Sequence, residues 1–93
     1  MVVQSKNANV DIIIPVFNQL EYTKQCIEHI LKYTDVPYNL IIVDNCSSDG
    51  TSQYLKGVDA LVISNSENRG CAAAWNQGVR AGNGAIKVIM NND

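Results

Sequence analysis

Apolar and polar positions fall in blocks along the chain, and the block lengths set the elements. Ile12-Ile13-Ile14, Leu40-Ile41-Ile42-Val43 and Ala85 to Met90 are short apolar runs bounded by turn residues. Runs of that length read as strands buried on both faces. The first strand spans Val10 to Phe17 and is rich in β-branched residues. Pro15 cannot donate to a ladder, so pairing should loosen there. The period then changes. Leu20, Cys26, Ile27, Ile30 and Leu31 share one stripe of a helix over about Leu20 to Tyr33. Asp35-Val36-Pro37 breaks the chain, and the second strand runs to Asp44.

The small polar residues after Asp44 open a short helix from Thr51 to Lys56, with Ser47 or Ser48 as its N-cap and Gly57 near its end. Ala60 to Ser64 reads as a third strand, and Asn65 to Gly70 as a polar loop. The third helix spans Cys71 to Ala81. Ala72, Trp75 and Val79 form its expected inward stripe, and Ala72, Ala73 and Ala74 let it sit close to a sheet. Gly82-Asn83-Gly84 stops it. The last strand, Ala85 to Met90, delivers Asn91-Asn92-Asp93 at its carboxyl end. Strands alternating with helices imply parallel pairing and right-handed crossovers, hence an α/β domain.

Composition narrows the classes. The chain has 93 residues, 46% hydrophobic and 17% charged, which is a globular balance. A net charge of -2 with scattered Lys and Arg offers no basic patch, so no nucleic-acid partner is expected. An anionic ligand would need help from backbone amides or a metal. Three cysteines without CxxC spacing argue against a disulfide framework and against a zinc site. Met1 to Asn9 is polar and no apolar run approaches the ~20 residues of a membrane span, so a cytoplasmic location is expected. His29, beside the first stripe, reads as solvated.

Parallel α/β sheets bind ligands at the carboxyl ends of their strands. Here those ends carry Phe17 and Asn18, Asp44 and Asn45, Asn65, then Asn91 and Asp93. Known fingerprints fail on this edge. The first turn, Pro15-Val16-Phe17-Asn18, has no glycine for a dinucleotide turn, no P-loop run follows any strand, and no paired acids mark a receiver domain. What remains suits a metal-dependent nucleotide-diphosphate site. Asp93 offers a hard oxygen ligand beside amide oxygens, which Mg²⁺ and Mn²⁺ favour together with phosphates. Phe17 could pack on a base, and Asp44 or Asn45 could accept from a ring N–H. The competing reading of Asp44 is a turn cap and nothing more.

Three ordered blocks carry a resemblance. Ile12-Ile13-Ile14-Pro15-Val16-Phe17-Asn18, Ile41 to Thr51, and Asn68-Arg69-Gly70 with Asn76-Gln77-Gly78 and Asn91-Asn92-Asp93 resemble the amino-terminal half of a family-two glycosyltransferase with the GT-A fold. The resemblance covers nearly all of the chain beyond Asn9. It implies a three-layer α/β/α fold, the Rossmann-like half of GT-A, with a four-stranded parallel sheet ordered 3-2-1-4. It implies binding of a nucleotide-diphosphate sugar and transfer of the sugar, by inversion, to an acceptor. Nucleotide binding would fall to Pro15, Phe17, Asn18, Asp44, Asn45, Asn68, Gly70 and Asn76. A divalent metal, Mn²⁺ or Mg²⁺, would fall to Asp93 and Asn91, at the family's DXD position.

Departures accompany the likeness. Cys46 stands where the family usually has glycine, Asn45 where many members have a second acid, and Asn91 where DXD has its first acid. Residues 1–93 read as a single donor-binding domain without the acceptor half, and no catalytic base is assigned within them. That reading leaves the last strand as an open edge, from which a homodimer is expected. A stand-alone nucleotide-binding or interaction module is the alternative. A nucleotidyltransferase-like enzyme is weaker, because the first turn lacks both glycine and a basic residue.

Overall fold

The structure, a computed structural model, describes residues 8–91. Seven elements follow in order: β1 (Val10–Val16), α1 (Leu20–Tyr33), β2 (Asn39–Asp44), α2 (Thr51–Leu55), β3 (Leu61–Ser64), α3 (Cys71–Ala81) and β4 (Ile86–Ile89). The strands form one parallel sheet in the order β3-β2-β1-β4, as expected. β1 and β2 are the interior pair, with Ile13 level with Ile41 and Ile14 with Ile42. Interior parallel strands are covered on both faces, which is why they read as unbroken apolar runs.

Alternate residues divide the core. Ile12, Ile14 and Val16 of β1 and Leu40 and Ile42 of β2 pack with Ile27 and Ile30 of α1, Leu55 of α2, and Tyr38. Ile13 and Ile41 point to the other face, where α3 lies across β1 and β2. The result is the expected three-layer α/β/α arrangement.

Two helix faces differ from expectation. On α1, Leu31 is exposed and Thr23 is buried. On α3, Ala72 is exposed, Trp75 and Val79 are half-buried, and the residues that meet the sheet are Ala74 and Gly78. The close approach expected from the small residues holds at Ala74. The Ala72, Trp75 and Val79 stripe does not face inward, because contact this close with β1 admits only the smallest residues. A Cβ on Gly78 would lie 2.3 Å from Ile13 Cγ2.

Pro15 sits opposite Val43 in an interior strand. The amides of Ile86 and Met90 donate to the carbonyls of Asn9 and Ile13, so the odd residues of β1 address β4. β4 ends at Ile89, and the N–H that Pro15 lacks therefore faces no strand partner. The expected loosening is confined to that side; pairing with β2 continues to Val16 opposite Asp44.

The amino end of the sheet holds a buried charge that the sequence reading did not single out. Asp11 is 0% exposed. Lys87 Nζ lies 2.6 Å from its Oδ2. Asn39 Nδ2 donates to Oδ1 at 2.9 Å, and the Gly84 N–H donates to Oδ2 at 2.9 Å. Burial pushes the Asp11 carboxyl up, but the hydrogen bonds from Lys87, Asn39 and Gly84 and the Lys87 charge outweigh it. The group is held below the usual carboxylate range. Lys87 is the one charged residue on β4. It is committed inward, to Asp11 and to the Gly82 carbonyl at 3.1 Å, and does not guard the open edge.

Candidate functional site

The carboxyl edge is built from two loops that fasten to each other. After β1, Phe17 is exposed, and Asn18 and Gln19 take left-handed backbone with φ of 54° and 58°. After β2, Cys46 also has positive φ, 72°. The turn keeps the shape that glycine would adopt readily, with a cysteine accommodating it. Asn18 bridges the loops. Its N–H donates to Ser47 Oγ at 2.8 Å, and its Oδ1 accepts from the Ser48 N–H at 2.7 Å.

Asp49 caps two helices at once. Its Oδ2 accepts from the Leu20 N–H at the start of α1, at 3.1 Å. Its Oδ1 accepts from the Thr51 N–H at 3.1 Å and the Thr51 hydroxyl at 2.6 Å, at the start of α2. The Thr51 hydroxyl, against partial desolvation and with help from the Thr51 and Leu20 amides, holds the Asp49 carboxyl below its usual range. The residue before α2 is Gly50, with φ of 99° and no side-chain cap, so Ser47 and Ser48 are not its N-cap. An acid one position further back satisfies the same orphan amide.

A groove of about 360 Å³ opens over this edge. Pro15, Phe17 and Gln19 come from the end of β1, Asn45 from the end of β2, and Asn91 from beyond β4. Asn68, Gly70 and Cys71 complete the groove at the start of α3. Gly70 has φ of 85°, and its N–H donates to Asn68 Oδ1 at 2.8 Å. Asn45 is 4% exposed and anchors this wall. Its Oδ1 accepts from the Arg69 N–H at 3.3 Å, and its Nδ2 donates to the Gly70 carbonyl at 3.2 Å.

The expected site residues therefore separate. Pro15, Phe17, Asn45, Asn68, Gly70 and Asn91 line one groove. Asn18 fastens the loops beneath it. Asp44 is 2% exposed, and its two oxygens accept from the Ser47 N–H in the following turn at 3.0 Å and from the Ser52 hydroxyl on α2. Its carboxylate braces the turn through one hydrogen bond to each oxygen, which leaves each oxygen a further lone pair. Asn76 is exposed on α3 and does not line the groove; its neighbour Gln77 turns inward to Asn65. Asp93 lies outside the described residues. Gln19, Cys71 and Gln77 were missed by sequence reading. Of these only Gln77 had a signal, its place in the Asn76-Gln77-Gly78 block between the inward-facing Ala74 and Gly78.

A larger groove, about 640 Å³, lies at the opposite edge among Asn39, Asp59, Leu61, Gly82 and Asn83. It sits at the amino ends of β2 and β3, beside the end of α3. Volume alone does not favour it, because parallel sheets gather loops and ligands at their carboxyl ends.

Among the described residues no three His, Cys, Asp or Glu side chains come together as a metal cage. The carboxyl-edge groove offers neutral amide oxygens, Asn91 and Asn68 among them. Such oxygens suit a hard cation that takes most of its charge compensation from phosphates and one acid.

Comparison with known proteins fits this geometry. The chain is 33% identical over 91 residues to the glycosyltransferase AglE of Haloferax volcanii, an alignment covering 90% of this chain and 30% of that protein. It is 29% identical over 89 residues to the glycosyltransferase GlyG of Streptococcus pneumoniae, again covering 90% of this chain and 30% of that protein. The chain thus spans about 30% of the length of these relatives. Among solved structures, the mannosyltransferase PcManGT of Pyrobaculum calidifontis, in complex with GDP-Man and Mn²⁺, superposes with a TM-score of 0.84 at 25% identity. That match covers 99% of this chain and 30% of the other. Glucosyl-3-phosphoglycerate synthase of Mycobacterium tuberculosis shares the fold at a TM-score of 0.78 and 22% identity, over 94% of this chain and 34% of that one. Residues 11–93 match the sequence profile of glycosyl transferase family 2, and the chain belongs to that family.

Proposed function

We propose that the carboxyl-edge groove is the donor site of a glycosyltransferase and receives a nucleotide-diphosphate sugar. The observation that supports this best is the gathering of Phe17, Asn45, Asn68, Gly70 and Asn91 from separate loops around one opening. Phe17 is 46% exposed at its mouth, where a base can stack. Asn45 and Asn68 shape the wall, and Asn18 and Asp44 hold the loops that carry it. PcManGT, bound to GDP-Man and Mn²⁺, supplies the analogy for ligand class. Asn91 and Asp93 would hold a divalent cation, Mn²⁺ or Mg²⁺, with the donor phosphates. When bound, such a cation neutralises charge on a departing diphosphate.

In this reading residues 1–93 form the donor-binding domain, and the acceptor and the base for an inverting displacement are met by other parts of the enzyme. Titration calorimetry with UDP and GDP, each with Mn²⁺, tests the site. Stacking on an aromatic ring is worth about 1–3 kcal/mol per base, so Phe17→Ala should weaken the preferred nucleotide by roughly 5- to 150-fold. Asp59→Ala, at the opposite edge, should leave affinity unchanged. Equal losses from both, or no binding of either nucleotide, would overturn the assignment.

The same reading extends to assembly. β4 is an edge strand, with Ile86, Val88 and Ile89 exposed and Lys87 turned inward. An uncharged apolar edge is a template for another strand. Residues 1–93 produced alone should self-associate through β4, most simply as a two-fold dimer. Light scattering across a concentration series should show mass rising with concentration, and Val88→Lys should suppress the rise. A strict monomer, indifferent to Val88→Lys, would count against this.

A further inference from the structure

We infer that the carboxamide chain Gln77–Asn65–Asn45 is a positioning device for the donor groove, an inference that rests on the donor-site reading above. Three side chains from three elements are linked in series. Gln77, on α3, and Asn65, just beyond β3, pair reciprocally. Gln77 Nε2 donates to Asn65 Oδ1 at 2.8 Å, and Asn65 Nδ2 donates to Gln77 Oε1 at 2.8 Å. Asn65 Nδ2 also donates to Asn45 Oδ1 at 2.9 Å. Asn45, at the end of β2, then grips the wall through the Arg69 N–H and the Gly70 carbonyl.

The series fixes every amide's orientation. Asn65 presents its NH₂ to two oxygens and its oxygen to one NH₂, so reversing any member would set like poles together. Asn45 must therefore accept from Asn65 and Arg69 and donate to Gly70. Gly70 begins α3, and Gly70 and Cys71 both line the groove. Through Asn45, the ends of β2 and β3 and the body of α3 set the position of one groove wall. A carboxylate at residue 45 could still accept twice, but it would oppose the Gly70 carbonyl oxygen with no proton between them.

That asymmetry supplies a readout that a generic packing role would not move. In the Asn45→Asp variant the ionised form pushes Gly70 away. Protonation restores an O–H donor, and the wall closes again. The Gly70 carbonyl oxygen faces a carboxyl at this position and favours its protonated form, so acid buffer shifts it toward the donor state. The titratable neighbours are Asp44 on β2, Cys46 in the turn after it, Glu67 and Arg69 in the loop, and Cys71 on α3. None of their side chains is hydrogen-bonded to the Asn45 amide among the contacts of the described residues.

The experiment uses the full chain, with UDP and GDP plus Mg²⁺ as probes at pH 8 and pH 5. Affinity relative to wild type at the same pH is expected to fall about tenfold for Asn45→Asp at pH 8, the scale of one unsatisfied buried group. The ratio should recover several-fold at pH 5. Gln77→Glu, which loses a donor to Asn65 Oδ1, should show the same sign with a smaller amplitude. Amide resonances of Gly70 and Cys71 in Asn45→Asp should move toward wild-type positions as pH falls, with or without nucleotide. A loss of affinity that does not depend on pH, with Gly70 and Cys71 resonances that do not titrate, would overturn the inference. If wild type binds neither nucleotide, the donor reading fails. The Gly70 and Cys71 titration still decides whether the carboxamide chain positions the wall.

Discussion

Lys87→Met is expected to destabilise the protein by about 3 kcal/mol at neutral pH, the lower end of the range for breaking a buried ion pair from one side. The reason is Asp11. It is fully buried, and Lys87 at 2.6 Å is the cation that compensates it. Asn39 and Gly84 still donate to the carboxylate after the substitution, but they bring no charge. The pH dependence carries a sign. Asp11 is held below its unfolded-state pKa in the folded protein, so its contribution is present above that value. It is lost as pH falls through the folded value, and wild type should weaken below about pH 4. A protonated Asp11 needs no counter-charge. The gap between wild type and Lys87→Met should therefore narrow as pH falls through this window. Urea midpoints at pH 7, 4 and 3 measure it. A gap under about 1 kcal/mol at pH 7, where surface pairs fall, or a gap constant with pH, would refute the role given to this pair.

Gly78→Val should be at least as damaging. The missing Cβ would stand 2.3 Å from Ile13 Cγ2 and 3.4 Å from Ile13 Cβ and Cγ1. Ile13 is fully buried in an interior strand and β-branched, so its methyl has no free rotamer to take. Either α3 lifts from the sheet or β1 shifts. Overpacking costs about 1–3 kcal/mol and more where the backbone must move, so roughly 3 kcal/mol is expected for a branched side chain. Removing glycine from a helix interior returns under about 1 kcal/mol, which does not offset it. The clash names its own partner. Ile13→Ala alone leaves a cavity, and in the Gly78→Val background the new side chain fills part of it. The double variant should be more stable than the sum of the singles by about 1 kcal/mol or more. Additive losses in denaturant unfolding would show that Gly78 and Ile13 do not meet. For a domain with about 5–15 kcal/mol to lose, either single substitution is a large fraction.

These positions also mark where the sequence was legible. The strands and the two longer helices could be read because interior strands are apolar throughout and the helix spacing is regular. Leu20–Tyr33 and Cys71–Ala81 are bounded as expected. The inward face of α3 was not legible from hydrophobicity, since contact this close selects for absence of a side chain. The Asp11–Lys87 pair joins residues 76 apart in sequence. An acid in one apolar strand and a lysine in another are suggestive only once the strands are known to be neighbours.

At the site, the edge and its groove followed from strand ends alone. The division of labour did not. Asp44, read as ligand-facing acid or turn cap, braces its turn through the Ser47 amide and Ser52 hydroxyl. Ser47 and Ser48 were the expected caps of α2, yet Asp49 caps α1 and α2 together. The Asp49 contact with α1 joins loops 29 residues apart in sequence, which no local pattern reveals. Asn45 was placed in the site, but its partners Asn65 and Gln77 come from separate elements and no local pattern joins them.

The central claim is that the carboxyl-edge groove takes a nucleotide diphosphate. Amide shift mapping with UDP and GDP in the presence of Mg²⁺ tests it most directly. The account predicts perturbed resonances at Phe17, Asn45, Gly70, Cys71 and Asn91, with Asn39, Asp59 and Asn83 unmoved. Perturbation centred on Asn39, Asp59 and Asn83, in the larger groove at the amino edge, would contradict it.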